Sequence, residues 1–182
     1  GNHDVLSSIF IPNDYQVLIE GNTTLRFNKN SSFVSRSPIN AIGRYEEPII
    51  FRAANKKWPA LLISEVKKPS SFSYVYFSDA VGIGEGPNPN GMEINGWTMT
   101  GGINIHESPV TFKNCTFNNF QTEDVLNIIS SSFILENCSF SNTYSDAFDG
   151  DFVTGEIQNC QFEDIGGDLS LIHISEPTRR TP

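Results

Sequence analysis

The chain has 182 residues, with 21 Asp and Glu against 12 Lys and Arg for a net charge of -9, which suits one ordinary domain or a fragment of a larger protein and excludes a basic nucleic-acid binder. Hydrophobic residues make up 38% and the 14 Phe dominate the aromatics, so there is enough apolar matter for a core. No run approaches the roughly 18 apolar residues of a membrane span, and no basic-then-apolar leader opens the chain, which starts at Gly1 and is expected to lack its true beginning.

The charge is unevenly spread. Residues 1–81 hold 9 basic and 7 acidic side chains, a net +2; residues 82–168 hold 13 acids and the single base Lys113, a net -12; the last fourteen residues add +1. A segment so acidic yet rich in Phe, Ile and Val must carry its charge on the outside of something packed.

In chain order, residues 1–81 read as irregular first coils. Val17 to Ile19, Thr24 to Phe27, Ile39 to Ile42, Ile49 to Phe51, Ala60 to Ile63 and Ser73 to Phe77 are short strand patterns separated by turn residues such as Gly21-Asn22 and Asn28 to Asn30. Residues 82–96 hold five Gly and two Pro, the composition of a protruding loop. Residues 97–168 are regular. Asn114-Cys115-Thr116-Phe117, Asn137-Cys138-Ser139-Phe140 and Asn159-Cys160-Gln161-Phe162 recur at spacings of 23 and 22. Each repeat is filled by runs of three to six residues broken by Asn, Ser, Thr and Gly, with no helical periodicity. Three short strands per repeat, wound once about an axis, stack like residues on neighbouring parallel strands about 4.8 Å apart and bury a continuous core. The expected fold is all-β, a parallel β-helix of about 22 residues per coil, incomplete at its C-terminus.

The repeat also aligns candidate functional residues. Fourteen positions before each Cys stand Gly101, Asp124 and Asp146, with Asp168 next in phase; eleven before stand Asn104, Asn127 and Asp149. Stacked carboxylates at about 5 Å repel by about 3 kcal/mol per pair at an effective dielectric near 20, which favours a bound Ca²⁺, a raised pKa or local hydrogen-bond partners. Asp124, Asp146 and Asp149 are the expected calcium set, Asp146, Asp149 and Asp151 the expected catalytic carboxylates, and Asn104, Asn127 and Asp124 the expected substrate contacts. Paired carboxylates suit glycoside hydrolysis of either stereochemistry. Turn residues that only accept backbone N–H groups are the competing account. Asn114, Asn137 and Asn159 are expected to form a structural amide ladder, the three Cys to be reduced core thiols, and His106 to sit in a solvated turn. Trp58, Trp97, Tyr74 and Tyr76 are either sugar-stacking faces or core aromatics.

The Asn-Cys-x-Phe rungs, the stretch from Ser145 to Phe152 and the run from Trp97 to Gly102 resemble right-handed parallel β-helix proteins of the pectin-lyase-like superfamily. The resemblance covers residues 97–168 and implies a secreted or cell-surface protein that meets polysaccharide in a groove walled by the 82–96 loop. It also implies a glycoside hydrolase or a polysaccharide lyase if there is catalysis. A lyase would need a Lys or Arg base, for which residues 82–168 offer only Lys113, and the His and Arg-Lys elements of polygalacturonases are not found. A non-catalytic structural or adhesive solenoid is the alternative. Finally, Leu169 to Arg179 resemble one reading frame of the adapter DNA used in library preparation, so residues 169–182 are expected to be non-native and the solenoid to be cut near Asp168 within a longer chain.

Overall fold

The computed structural model describes residues 1–83, 92–94, 96–169 and 171–173, with 92–94 and 171–173 described by their backbone alone. It is a right-handed parallel β-solenoid of about seven turns, as the repeat predicts. The first three coils comprise β1 (Asn2–Val5), β2 (Ile9–Ile11), β3 (Val17–Glu20), β4 (Thr24–Phe27), β5 (Phe33–Ser35), β6 (Ile39–Ile42), β7 (Ile49–Ala53), β8 (Leu61–Ser64) and β9 (Ser70–Ser73). The fourth has β10 (Val75–Ser78), then a hairpin of β11 (Met92–Ile94) and β12 (Trp97–Met99), then β13 (Gly101–His106) and β14 (Val110–Lys113). The rest are β15 (Thr116–Phe120), β16 (Asp124–Ile129), β17 (Ser132–Glu136), β18 (Ser139–Thr143), β19 (Asp146–Asp151), β20 (Thr154–Gln158), β21 (Gln161–Ile165) and β22 (Leu171–His173).

Every third strand of the solenoid joins one sheet. Sheet A runs β1-β4-β7-β10-β15-β18-β21, sheet B β2-β5-β8-β13-β16-β19-β22, and sheet C β3-β6-β9-β14-β17-β20, each parallel throughout. The N-terminal coils hold four strands that the pattern did not reveal, β1, β2, β5 and β9, because strands of three or four residues leave little periodicity to read. Residues 97–99 were expected to open the regular coils; they pair antiparallel with 92–94 instead, and the coil begins at Gly101. Most of the expected 82–96 loop, residues 84–91 and 95, lies outside the described residues, as does most of the 169–182 tail. Within that tail Leu171–His173 pairs with β19, placing Leu171 beside Asp149 at the position the repeat predicts.

The corners of the coil explain the Asn, Ser and Thr between strands. From β8 onward each corner holds one residue in the left-handed region, where Asn and Asp are the least strained after Gly. Asn114, Asn137 and Asn159 occupy one corner with φ of 53°, 54° and 52°, preceded in the third coil by Tyr74 at 50°. Their N–H groups bond the next coil, Asn114 to Glu136 and Asn137 to Gln158. The expected amide ladder is therefore corrected: Asn137 and Asn159 face solvent, and what these residues contribute is a backbone conformation. Glu65, Glu107, Ser130 and Phe152 repeat the device at a second corner, Asp79, Asn119, Asn142 and Asp164 at the third.

Inward residues form columns. Phe77, Phe117, Phe140 and Phe162 stack face to face at 5.3, 4.6 and 5.1 Å with interplanar angles of 9° to 11°. Trp58 is fully buried, stacks on Phe27 at 4.3 Å and donates its indole N–H to the Ser78 carbonyl at 2.7 Å, so it is core and not a sugar platform. Gly102 sits where a Cβ would lie 2.5 Å from the Phe120 ring and 2.9 Å from Ala80 Cβ. Gly102→Val is expected to destabilise the fold by about 1–3 kcal/mol through overpacking, read from a urea melt.

Candidate functional site

The outer face of sheet B brings the acidic and amide columns together in the predicted register. Gly101, Asp124 and Asp146 are paired neighbours, and Asp168 extends the column, its N–H donating to Asp146 Oδ1 at 2.7 Å. Beside it run Leu62, Asn104, Asn127 and Asp149, and beyond that Ser64, His106, Ile129 and Asp151.

Depth divides these columns in a way that register does not. Both faces of β13 and β16 are buried. The inner face packs Ile103, Ile105, Leu126 and Ile128 into the main core, while on the outer face Met99 and Trp97 close over Leu62, Ile129 and Val34 in a second small apolar cluster. Asn104, Asn127 and Asp124 are only 0%, 2% and 3% exposed. The three expected substrate contacts thus lie buried, with the Thr100 hydroxyl closing on Asp124. Asp146, Asp149 and Asp151, one coil further on, are half-buried and reach the surface. His106, expected in a solvated turn, is fully buried within β13 with Nδ1 3.1 Å from Ser64 Oγ.

The buried polar groups are held by one another. Asn104 closes on the bend at Gly101, accepting its N–H at 2.9 Å and donating to its carbonyl at 2.7 Å. The Asn127 amide donates to Asp124 Oδ2 at 3.4 Å and to Asp149 Oδ2 at 3.3 Å, long bonds shared by one nitrogen between two carboxylates. Thr100, just past β12, donates its hydroxyl to Asp124 Oδ2, and Thr122 donates to the Asp124 carbonyl. Burial raises the Asp124 carboxyl to about 7; the Thr100 hydroxyl opposes this, and the negative fields of Asp149, Glu123 and Asp146 add to it.

No three His, Cys, Asp or Glu side chains among the described residues are grouped to hold a metal ion.

Two aromatic residues that the sequence reading passed over flank the exposed carboxylates. Tyr144, 69% exposed, stands just before β19, and Phe152, 50% exposed, just after it, with the Trp97 ring edge-on to Phe152 at 5.4 Å. The previous coil carries Gln121 and Ser130 at the corresponding corners. That exchange of polar for aromatic was the available signal, masked because Phe in this chain is mostly core.

A parallel β-solenoid with an acidic and amide ladder on one face is the class that this geometry defines, and its fold is consistent with the pectin-lyase-like superfamily. No family model matches the chain, and neither does any curated protein or solved structure. Among the described residues no helix is long and apolar enough to cross a membrane.

Proposed function

We propose that the protein is a secreted or cell-surface solenoid that binds polysaccharide along β19. The observation that carries this reading is the arrangement Tyr144, Asp146, Asp149, Asp151, Phe152: three half-buried carboxylates between two exposed aromatic rings. Aromatic faces pack on the apolar faces of sugar rings, and carboxylates accept hydroxyl hydrogen bonds. At about 3.3 Å per residue the run from Tyr144 to Phe152 spans roughly 26 Å, room for several sugar units. The 13 acids and one base of residues 82–168 disfavour uronates and sulfated chains, so the ligand is a neutral or amino-sugar polymer. Asn127, which donates to both Asp124 and Asp149, then positions the Asp149 carboxylate from the neighbouring coil. Asp124 has a pKa suited to a general acid at neutral pH but no surface from which to protonate a glycosidic oxygen, which favours binding over cleavage by this chain.

The test is affinity electrophoresis or calorimetry with neutral hexasaccharides of glucose, xylose, mannose and N-acetylglucosamine, set against oligogalacturonate, with product release followed in the same samples. Asp151→Asn, Asp149→Asn and Phe152→Ala are each expected to weaken binding at least about tenfold, the loss of one desolvated contact of about 1.4 kcal/mol, with melting temperatures within a few degrees of the parent. Unchanged binding in all three would remove the site. The burial of Asn104, Asn127 and Asp124 favours a second reading, a purely structural or adhesive solenoid, in which no saccharide binds and the same substitutions lower the melting temperature instead.

A further inference from the structure

The three cysteines occupy equivalent positions in successive coils. The Ser139 N–H bonds the Cys115 carbonyl and the Gln161 N–H the Cys138 carbonyl, both at 2.9 Å, which stacks the three residues directly along the solenoid axis. Each Sγ faces two carbonyl oxygens at 3.4 to 3.7 Å, one two residues earlier in its own coil and one in the coil before: Lys113 and Phe72 for Cys115, Glu136 and Phe112 for Cys138, Gln158 and Leu135 for Cys160. All three are free thiols, Cys115 and Cys138 1% exposed and Cys160 half-buried at the end of the column. In-register parallel neighbours lie about 4.8 Å apart at Cα, inside the range of roughly 4.4–6.8 Å that a disulfide spans.

We infer that Cys138 and Cys160 are an oxidisable pair, which a peroxide converts to a disulfide joining the last two cysteine-bearing coils. Cys160 is the thiol that solvent reaches. As its thiolate it attacks a peroxide oxygen, breaking the O–O bond and leaving a sulfenic acid and water after proton uptake. The Cys138 thiolate then attacks the Cys160 sulfur and expels hydroxide, which takes up a proton, so that two thiols and one hydrogen peroxide give one disulfide and two waters. Cys138 suits the second step because the hydrogen bond from the Cys115 thiol holds it below the ordinary thiol value, whereas burial raises Cys115 and Cys160. The pairing skips Cys115 because oxidation begins at the solvent-facing end of the column.

The test uses the whole chain, treated with hydrogen peroxide and then analysed by intact mass and peptide mapping. The expected result is a loss of two hydrogen masses, reversed by dithiothreitol, with a Cys138–Cys160 cross-linked peptide. Cys115→Ser should keep this product, and Cys160→Ser should abolish it. Oxygen addition at Cys160 without cross-linking, a link through Cys115, a disulfide between two chains, or no reaction would each overturn the inference, and the unmodified chain alone distinguishes these outcomes if a variant fails to fold.

Discussion

Phe117→Ala is expected to be the most destabilising single truncation in the regular coils. Phe117 is fully buried, with Phe77 and Phe140 stacked on its two faces at 5.3 and 4.6 Å and Phe112 edge-on at 5.5 Å. Removing a buried aromatic ring leaves a cavity and costs about 3–5 kcal/mol, and each lost stacking partner adds about 0.5–1.5 kcal/mol beyond burial. Closed coils above and below hold the backbone at the interstrand spacing, so the cavity cannot collapse. Phe162 is the contrast: half-buried at the end of the same column, it stacks only on Phe140 among the described ring contacts, at 5.1 Å. Phe162→Ala should cost about 1–2 kcal/mol, close to the transfer term alone. In a solenoid stability is a sum over coils and their interfaces, so urea melts of the two variants should differ by at least about 2 kcal/mol. Equal losses would show that the column does not couple coil to coil.

The same column was legible in the sequence because it repeats. Asn-Cys-x-Phe at spacings of 23 and 22 residues specifies both the period and the inward Phe, and Asp124, Asp146 and Asp149 fell into their predicted register for that reason. Depth was not legible. Asp124 and Asp146 are the same residue at the same phase, yet one is 3% exposed and the other half-buried: the Thr100 hydroxyl closes on Asp124, whereas Asp146 meets Ser145 and the Asp168 N–H. Thr100 sits outside the repeat, so no periodicity announces where it packs. His106, expected in a solvated turn, is instead buried inside β13 against Ser64, a placement that the sequence pattern around it does not reveal. The asparagine corners fail differently: a left-handed turn and an amide ladder select the same residue type, and only φ tells them apart. Tyr144 and Phe152 were missed because, in a chain with Phe throughout its core, an outward aromatic looks like one more core residue.

Stability is expected to fall as pH rises from about 4 to 8, with Asp124 as the cause. Its carboxyl sits at about 7 in the folded chain, where it is buried and faces Asp149, Glu123 and Asp146, with the Thr100 hydroxyl and the Asn127 amide as its donors. An unfolded Asp titrates near the ordinary value of about 3.9. Between those two values the folded state binds the proton that the unfolded state has released, so folding weakens progressively as pH climbs through the window. The full penalty, on the order of 4 kcal/mol, is present only above the folded value. Below about pH 4 both states are protonated and the group contributes no pH dependence. Asp124→Asn keeps the shape and the Thr100 and Asn127 contacts while removing the titration. The variant should match the parent in melting temperature near pH 4 and exceed it at pH 8, with the difference opening between those limits. Contributions from every other ionisable group are common to the two proteins and cancel when they are compared at each pH. A variant that tracks the parent at every pH would mean that Asp124 stays ionised when folded, and that its burial against Thr100 does not raise its carboxyl.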